Sequence, residues 1–166
     1  MSRGFVREED QEEVPLVPPR ADLPEGVTNY MTPEGMDELL AERQGLINER
    51  ETLDISSDKE KRIAVNFINA KLQLLNNRIS SALIIDITKQ PQDEVRFGAL
   101  VTLKIGSDTK LQKYQIVGVD EADISKGKIS FISPIARLLT NKRVGDKSIL
   151  KLPKEDRIFE IMKIIY

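Results

Sequence analysis

The feature that most constrains the fold is a heptad repeat of apolar residues between residues 65 and 82. Such a repeat forms one apolar stripe along an α-helix, and the stripe is buried when the helix packs against a partner helix. The repeat therefore predicts one arm of a coiled coil. Its members alternate three and four positions apart and are Val65, Ile68, Leu72, Leu75, Ile79 and Ala82.

A second helix is predicted just before this repeat. Thr32 is a good N-cap, Pro33 suits the first helical position, and Glu34 lies favourably near the positive end of the helix dipole. Two arginines interrupt the apolar stripe that follows. Turn and capping residues then separate the two helices, so the helices are predicted to fold back as an antiparallel hairpin. The stripe consists of Met36, Leu39, Leu40, Leu46, Ile47 and Leu53.

From residue 93 onward the apolar period changes toward two, which is typical of strands. The strand-like strings are FGALVTLKIG, KYQIVGVD, KISFIS, SILKLP and RIFEIMKIIY, and one short helix from Pro134 to Thr140 interrupts them. The predicted fold is α+β. A coiled-coil hairpin over residues 29–88 precedes a small domain over residues 89–166, in which one antiparallel sheet curls over one helix.

Residues 1–28 differ from the rest of the chain in composition. They hold seven acidic and three basic side chains and four of the eight prolines, with no apolar periodicity. Such a segment cannot bury enough apolar surface to offset its ordering entropy, so it is predicted to be an extended or disordered acidic tail. A solvated tail is favoured, and a partner-binding arm is the alternative.

The composition excludes several classes of function. There are no cysteines and no histidines, so a thiol nucleophile, a thiolate metal site and the commonest general base are absent. The chain has no run of about 20 apolar residues and no signal-peptide core, so a cytoplasmic protein without membrane contact is expected. The net charge is −2 and there is no basic stripe, which argues against independent nucleic-acid binding.

Several short strings occur in the order typical of one protein family. The string YMTPEGMDELLAE opens the hairpin and IIDITKQP leaves it, followed by FGALVTL, YQIVGVDEAD, ISPIARLL and VGD. Together they resemble the Gre family of bacterial transcription elongation factors, GreA and GreB, over roughly residues 29–166. The resemblance implies an FK506-binding-protein-like C-terminal domain that binds bacterial RNA polymerase. It also implies that the coiled coil enters the secondary channel of the polymerase.

The resemblance further implies a docking loop at a Ser-Pro pair. From the residues alone, Ser133 is an N-cap and Pro134 occupies the first position of a short helix. In Gre factors the corresponding loop contacts the polymerase rim, so the expected partner-binding residues are Ser133, Pro134, Ile135 and Arg137. Nucleic acid is expected only within the elongation complex, and the chain is expected to be a monomer.

At the hairpin tip, Gre factors carry acidic residues that help hold a catalytic Mg²⁺ and a water in the polymerase. The family tip reads approximately Asp-Leu-x-Glu-Asn-Ala-Glu-Tyr. The corresponding residues here are Asp58, Lys59, Glu60, Lys61 and Arg62. Asp58 matches the first acid, but Lys61 falls on the glutamate, and a divalent cation needs paired carboxylates. The cleavage motif is therefore predicted to be lost, although Asp58 and Glu60 could act as residual acids with an Mg²⁺ shared with the polymerase.

Hairpin length leads to the same expectation. Each arm is shorter than in GreA by about seven or eight residues, and a matched loss of one heptad keeps the two stripes in register. The loss retracts the tip by roughly 10 Å. The chain is therefore expected to be a polymerase-binding regulator with weak or no stimulation of transcript cleavage. It is expected not to be an enzyme and to have no cofactor of its own.

Three alternatives remain. The first is an active cleavage factor that uses Asp58 and Glu60. The second is an FK506-binding-protein-like peptide-binding or prolyl isomerase domain, although the aromatic residues at strand spacing are interpreted as core; they are Phe97, Tyr114, Phe131, Phe159 and Tyr166. The third is a generic coiled-coil scaffold. A metal or acid-base cluster of Asp120, Glu121 and Asp123 is also conceivable, but a solvated turn is favoured there.

Overall fold

The computed structural model of the protein describes residues 14–166. The first half of the predicted acidic tail, residues 1–13, lies outside the described residues. From residue 14 to residue 28 the chain forms no helix or strand. None of the helices formed by the described residues is long and apolar enough to cross a membrane.

The predicted hairpin is present and consists of two antiparallel helices. Helix α1 spans Pro33–Glu51 and helix α2 spans Asp58–Ser81. Leu39 of α1 is buried near the base of the hairpin, where it forms a small core with Met31 and Leu75. Toward the tip, the contact between the two helices becomes polar. There Arg50, one of the two arginines that interrupt the stripe of α1, donates a hydrogen bond of 2.7 Å to the Asn69 side chain of α2.

Two short strands close the base of the hairpin. Strand β1, Asn29–Met31, pairs in parallel with strand β2, Ala82–Ile84. The sequence did not predict this ribbon, because three residues are too few to show a period. The last member of the heptad repeat, Ala82, caps α2 and begins β2. The ribbon brings the two ends of the hairpin together next to the second domain.

The C-terminal domain contains a five-stranded sheet in the order β5-β4-β3-β7-β6. Most neighbouring strands are antiparallel, as predicted. Strands β4 and β5 are parallel, because residues 118–127 carry the chain back to the end of the sheet where β4 began. The α+β prediction is therefore confirmed, with a mixed sheet. The strands are β3 Leu100–Ile105, β4 Leu111–Val117, β5 Lys128–Ser130, β6 Lys147–Lys151 and β7 Asp156–Ile165.

Helix α3, Pro134–Leu139, packs on the sheet through buried Ala136 and Leu139. The segment between the hairpin and β3 also contributes to this core. Val95 is completely buried there, and its backbone N–H donates a hydrogen bond of 2.8 Å to the Lys142 carbonyl. The core of the C-terminal domain thus begins upstream of the first strand of its sheet.

Candidate functional site

The predicted docking residues lie together on the first turns of α3. The Ser133 side chain accepts a hydrogen bond of 3.3 Å from the Ala136 N–H, as expected for an N-cap. Pro134 and Arg137 are exposed, whereas Ile135 is half-buried against the core of the C-terminal domain. The loop therefore presents one proline and one guanidinium on a short, well-anchored helix.

An aromatic groove lies beside this loop. Tyr30 of β1 contacts Phe97 and Phe131, with ring centroids 5.9 and 5.5 Å apart, and the two phenylalanines are 5.7 Å apart. The groove has a volume of about 510 Å³ and is also lined by Arg96 and Arg137. Phe97 and Phe131 are half-buried and pack against the core of the C-terminal domain, as predicted, and they also line this groove. Tyr30, from the base of the hairpin, therefore covers part of this aromatic surface of the C-terminal domain.

The other three aromatic residues of the domain belong to its core, as predicted. Phe159 is 1% exposed, and Tyr114 and Tyr166 are half-buried against the same cluster. The Tyr166 hydroxyl donates a hydrogen bond of 2.5 Å to the Glu94 carbonyl and accepts one of 2.7 Å from the Arg96 N–H. Burial raises the pKa of Tyr166. Tyr166 thus ties the end of the chain to the segment that enters the sheet.

The predicted tip residues occupy the first two turns of α2, at the end of the hairpin farthest from the ribbon. Ser57 is the N-cap, and its hydroxyl accepts a hydrogen bond of 3.3 Å from the Glu60 N–H. Asp58 and Glu60 are exposed and lie in the first turn, where negative charge is favourable for the helix dipole. Asp54, which the sequence reasoning left out, is exposed in the loop of residues 52–57.

The tip does not fit a paired-carboxylate magnesium site. Residues two positions apart in a helix do not face each other, so Asp58 and Glu60 project from different sides of α2. The residue three positions after Asp58, which shares its side, is Lys61. Within residues 14–166, no three acidic side chains come close enough together to hold a metal ion. Each tip acid can stabilise the helix start, but the two cannot grip one cation together.

A third region, which we call the junction, joins the hairpin to the C-terminal domain. Its centre is Glu121, which is buried at 6% exposure. One carboxylate oxygen accepts hydrogen bonds from the N–H groups of Thr32 and Gly118 at 3.1 and 2.9 Å, and the Thr32 hydroxyl donates to the other. A Cβ atom at Gly35 would overlap this carboxylate. The start of α1 therefore rests directly on Glu121.

Asp120 forms the second half of the junction. Its side chain is 2% exposed and accepts hydrogen bonds from Arg78 of α2 at 3.3 Å and from Arg20 at 2.9 Å. Arg20 also donates two hydrogen bonds, of 2.8 and 3.1 Å, to Glu42 of α1. Arg78 reaches the Ala21 carbonyl as well. Hydrogen bonds to Glu42 and then to Asp120 raise the pKa of Arg20, which keeps its charge.

These contacts correct one prediction and add detail to another. A solvated turn is wrong for Asp120 and Glu121, because both carboxylates are buried against donors from the hairpin and the N-terminal segment. Only Asp123 lies in a surface turn, where hydrogen bonds from the Ser125 side chain and N–H lower its pKa. Residues 17–21 of the predicted tail form no helix or strand, but Arg20 and Ala21 have specific partners in the hairpin and the C-terminal domain.

Sequence reasoning missed the junction because its residues are scattered along the chain. A local signal is Gly35, a poor helix former in the first turn of a helix. Such a glycine indicates that another group approaches the backbone closely. Here that group is the Glu121 carboxylate.

Together the fold and these regions define a protein with an α-helical hairpin joined to a small sheet-and-helix domain. Residues 90–166 match the family described as transcription elongation factor, GreA/GreB, C-term. The chain is 42% identical to transcription elongation factor GreA of Maricaulis maris, over 69% of this chain and 75% of the relative. It is 36% identical to GreA of Rhodospirillum rubrum, over 81% of this chain and 95% of the relative. The chain therefore belongs to the GreA/GreB family of transcription elongation factors.

Solved structures give a weaker comparison. The crystal structure of GreA factor homolog 1 (Gfh1) of Thermus thermophilus aligns with 84% of this chain and 100% of that chain, at 24% identity and a TM-score of 0.40. This similarity is too low to support an argument.

The family corrects the expectation that the chain is not an enzyme. GreA stimulates transcript cleavage by RNA polymerase, which is a hydrolytic activity, and this chain is 36%, 39% and 42% identical to three GreA factors. The absence of histidine and cysteine argued only against a self-contained catalytic site. It does not exclude carboxylates that assist hydrolysis in the active site of another protein.

Proposed function

We propose that this chain binds bacterial RNA polymerase in the cytoplasm as a regulator of elongation and stimulates transcript cleavage weakly. The turn at Ser133 and Pro134 docks the C-terminal domain, and the hairpin enters the secondary channel. The main observation in favour of weak activity is that Asp58 and Glu60 lie on different sides of α2.

The spacing of the tip charges supports this proposal. A divalent cation is held best when several oxygen ligands reach it together. The position that shares a helix face with Asp58 is occupied by Lys61, whose ammonium group repels a cation. Asp58 therefore contributes a single carboxylate, which supports weaker assistance than a pair.

The length of the hairpin also supports it. Helix α1 has 19 residues, which corresponds to about 28 Å. The alignment with GreA of Rhodospirillum rubrum extends over 149 positions, but 81% of this 166-residue chain is only about 134 residues. About 15 positions of the alignment therefore have no counterpart here. A loss of this size matches one heptad from each arm.

The decisive experiment is a transcript-cleavage assay on backtracked elongation complexes, run at saturating factor beside a binding measurement. We expect binding with cleavage well below that of a GreA factor under the same conditions. Cleavage as strong as that of GreA, abolished by Asp58→Ala, would establish the alternative of a fully active cleavage factor. Absence of any affinity for polymerase would overturn the whole proposal.

A charge swap at the tip tests the reason for the weak activity. Lys61→Glu places a second carboxylate on the face of Asp58, so we expect cleavage to rise several-fold. Lys59→Glu is the matched control, because it makes the same charge change one position after Asp58, where the side chains do not face each other. An equal gain in cleavage from both variants would show that the net charge of the tip matters, and that the position of the second carboxylate on the face of Asp58 does not.

A second pair of variants tests the docking surface. Arg137 is exposed beside the Ser-Pro turn, so Arg137→Ala should weaken polymerase binding by about 5- to 30-fold, as truncation of an interface arginine often does. Arg157→Ala is the control, since Arg157 is an exposed arginine of β7. Equal binding by the two variants would place docking elsewhere.

A further inference from the structure

The N-terminal segment crosses the boundary between the two domains. Residues 17–21, which we call the strap, line a cleft of about 410 Å³ together with both helices of the hairpin and the loop after β4. The apolar lining includes Val17, Leu46, Leu74 and Val119. The strap contacts α1 through Glu42, α2 through Arg78 and the loop after β4 through Asp120.

Arg20 is the strap residue with the most specific contacts. Its side chain is 18% exposed and bridges Glu42 of α1 and Asp120 of the C-terminal domain. Bidentate binding to Glu42 fixes the orientation of the guanidinium as well as its position. The Asp120 side chain in turn has almost no contact with solvent and is paired with Arg20 and Arg78.

Arg20 holds the hairpin at a point well away from the base of α1. Thr32 and Glu121 fix the start of α1, and Glu42 lies ten residues further along the helix, about 15 Å from that point. The other attachments of the hairpin, at Thr32, at the Arg78–Asp120 ion pair and at a Glu38–Lys128 ion pair of 3.8 Å, all lie closer to its base, so the hairpin can tilt about them. The attachment at Glu42 lies farther along α1 and resists the tilt, because α1 cannot move there without breaking an ion pair of Arg20.

A small tilt has a large effect at the tip. The tip lies about 30 Å from Thr32, so a tilt of about 10° displaces it by about 5 Å. Positioning of catalytic groups fails over errors of about 1 Å. The attachment at Glu42 therefore matters more for where the tip points than for whether the hairpin folds.

We propose that Arg20 is a positioning residue: through the strap it fixes the angle between the hairpin and the C-terminal domain. The consequence for the polymerase rests on the proposed function, whereas the fixed angle does not. The strap thus fixes the two domains relative to each other. Without it, both domains stay folded, but the angle between them varies.

Distance measurements between the domains test this directly. The chain has no cysteine, so spin labels at Asp54→Cys in the tip loop and Lys154→Cys in the C-terminal domain are the only labels in the full chain. We expect a narrow distance distribution for the parent. In Arg20→Ala it should broaden by about twofold or more, because several orientations become populated. Arg20→Lys should be intermediate, since an ammonium group cannot fork between two carboxylates.

Two further variants complete the test. Glu42→Ala removes only the contact on the exposed face of α1 and should broaden the distribution as Arg20→Ala does, even if the arginine variant folds poorly. Arg43→Ala changes the adjacent arginine on α1 and should leave the distribution unchanged. Unchanged distributions in Arg20→Ala and Glu42→Ala would overturn the proposal, as would equal broadening in Arg43→Ala. If the chain does not bind polymerase but these distance results are as expected, the proposed function is wrong and the positioning role of Arg20 stands.

Discussion

Both helices of the hairpin begin with a hydroxyl N-cap, but their surroundings differ. Thr32 caps α1 by accepting a hydrogen bond of 3.0 Å from the Gly35 N–H, and Ser57 caps α2 by accepting one of 3.3 Å from the Glu60 N–H. Thr32 is buried against Glu121 of the other domain. The start of α2 instead carries exposed charges at the tip.

The difference shows how the same local chemistry serves two purposes. At the junction, buried carboxylates have several donors each, so their loss leaves polar groups without partners. At the tip, the carboxylates interact mainly with water and the helix dipole, so they can change with little effect on folding. Substitutions at the tip are therefore expected to cost little stability, whereas substitutions at the junction are expected to cost more.

The largest effect is expected from Glu121→Ala. Removing the carboxylate leaves the buried N–H groups of Thr32 and Gly118 without their acceptor, which costs roughly 3 kcal/mol of unfolding free energy. Chemical denaturation of the full chain measures this cost. Glu155→Ala, in the exposed turn before β7, is the control and should change stability by less than about 0.5 kcal/mol. Equal costs for the two variants would mean that burial at the junction does not matter.

The two N-caps give the next prediction. Thr32→Ala removes a capping bond and a hydrogen bond to buried Glu121, so it should cost about 2 kcal/mol. Ser57→Ala removes only the capping bond and should cost about 0.5–1 kcal/mol. Thermal unfolding of both variants gives the comparison. A Ser57 variant as unstable as the Thr32 variant would contradict the distinction between the two helix starts.

The sequence predicted the elements with a clear period and missed those without one. The heptad repeat and the alternating strands were sufficient for the hairpin and most of the sheet. The β1–β2 ribbon was missed because three-residue strands show no period. The junction was missed because its ion pairs join residues far apart in sequence, such as Arg20 and Asp120. The tip positions could be predicted, because helix spacing alone determines that Asp58 and Lys61 share a face.

A double-mutant cycle separates buried from exposed ion pairs. Arg20 and Asp120 should couple by about 1–2 kcal/mol, since the Asp120 side chain is 2% exposed. The matched pair is Arg143 and Asp93, which lie 2.8 Å apart, against 2.9 Å for Arg20 and Asp120, but are 62% and 67% exposed. Its coupling should be at most about 0.5 kcal/mol because water and side-chain entropy offset the attraction. Similar coupling energies in the two pairs would show that burial does not determine the strength of an ion pair in this protein.

The smallest effect is expected from Asp58→Ala. Its exposed carboxylate interacts with the positive end of α2, an interaction of a few tenths of a kcal/mol that salt screens. The unfolding free energy should therefore fall by no more than about 0.5 kcal/mol at low salt, and the difference should disappear at about 1 M salt. Urea denaturation at the two salt concentrations measures it. A salt-independent loss above about 1.5 kcal/mol would mean that Asp58 has a packed partner, and the tip would then resemble the junction.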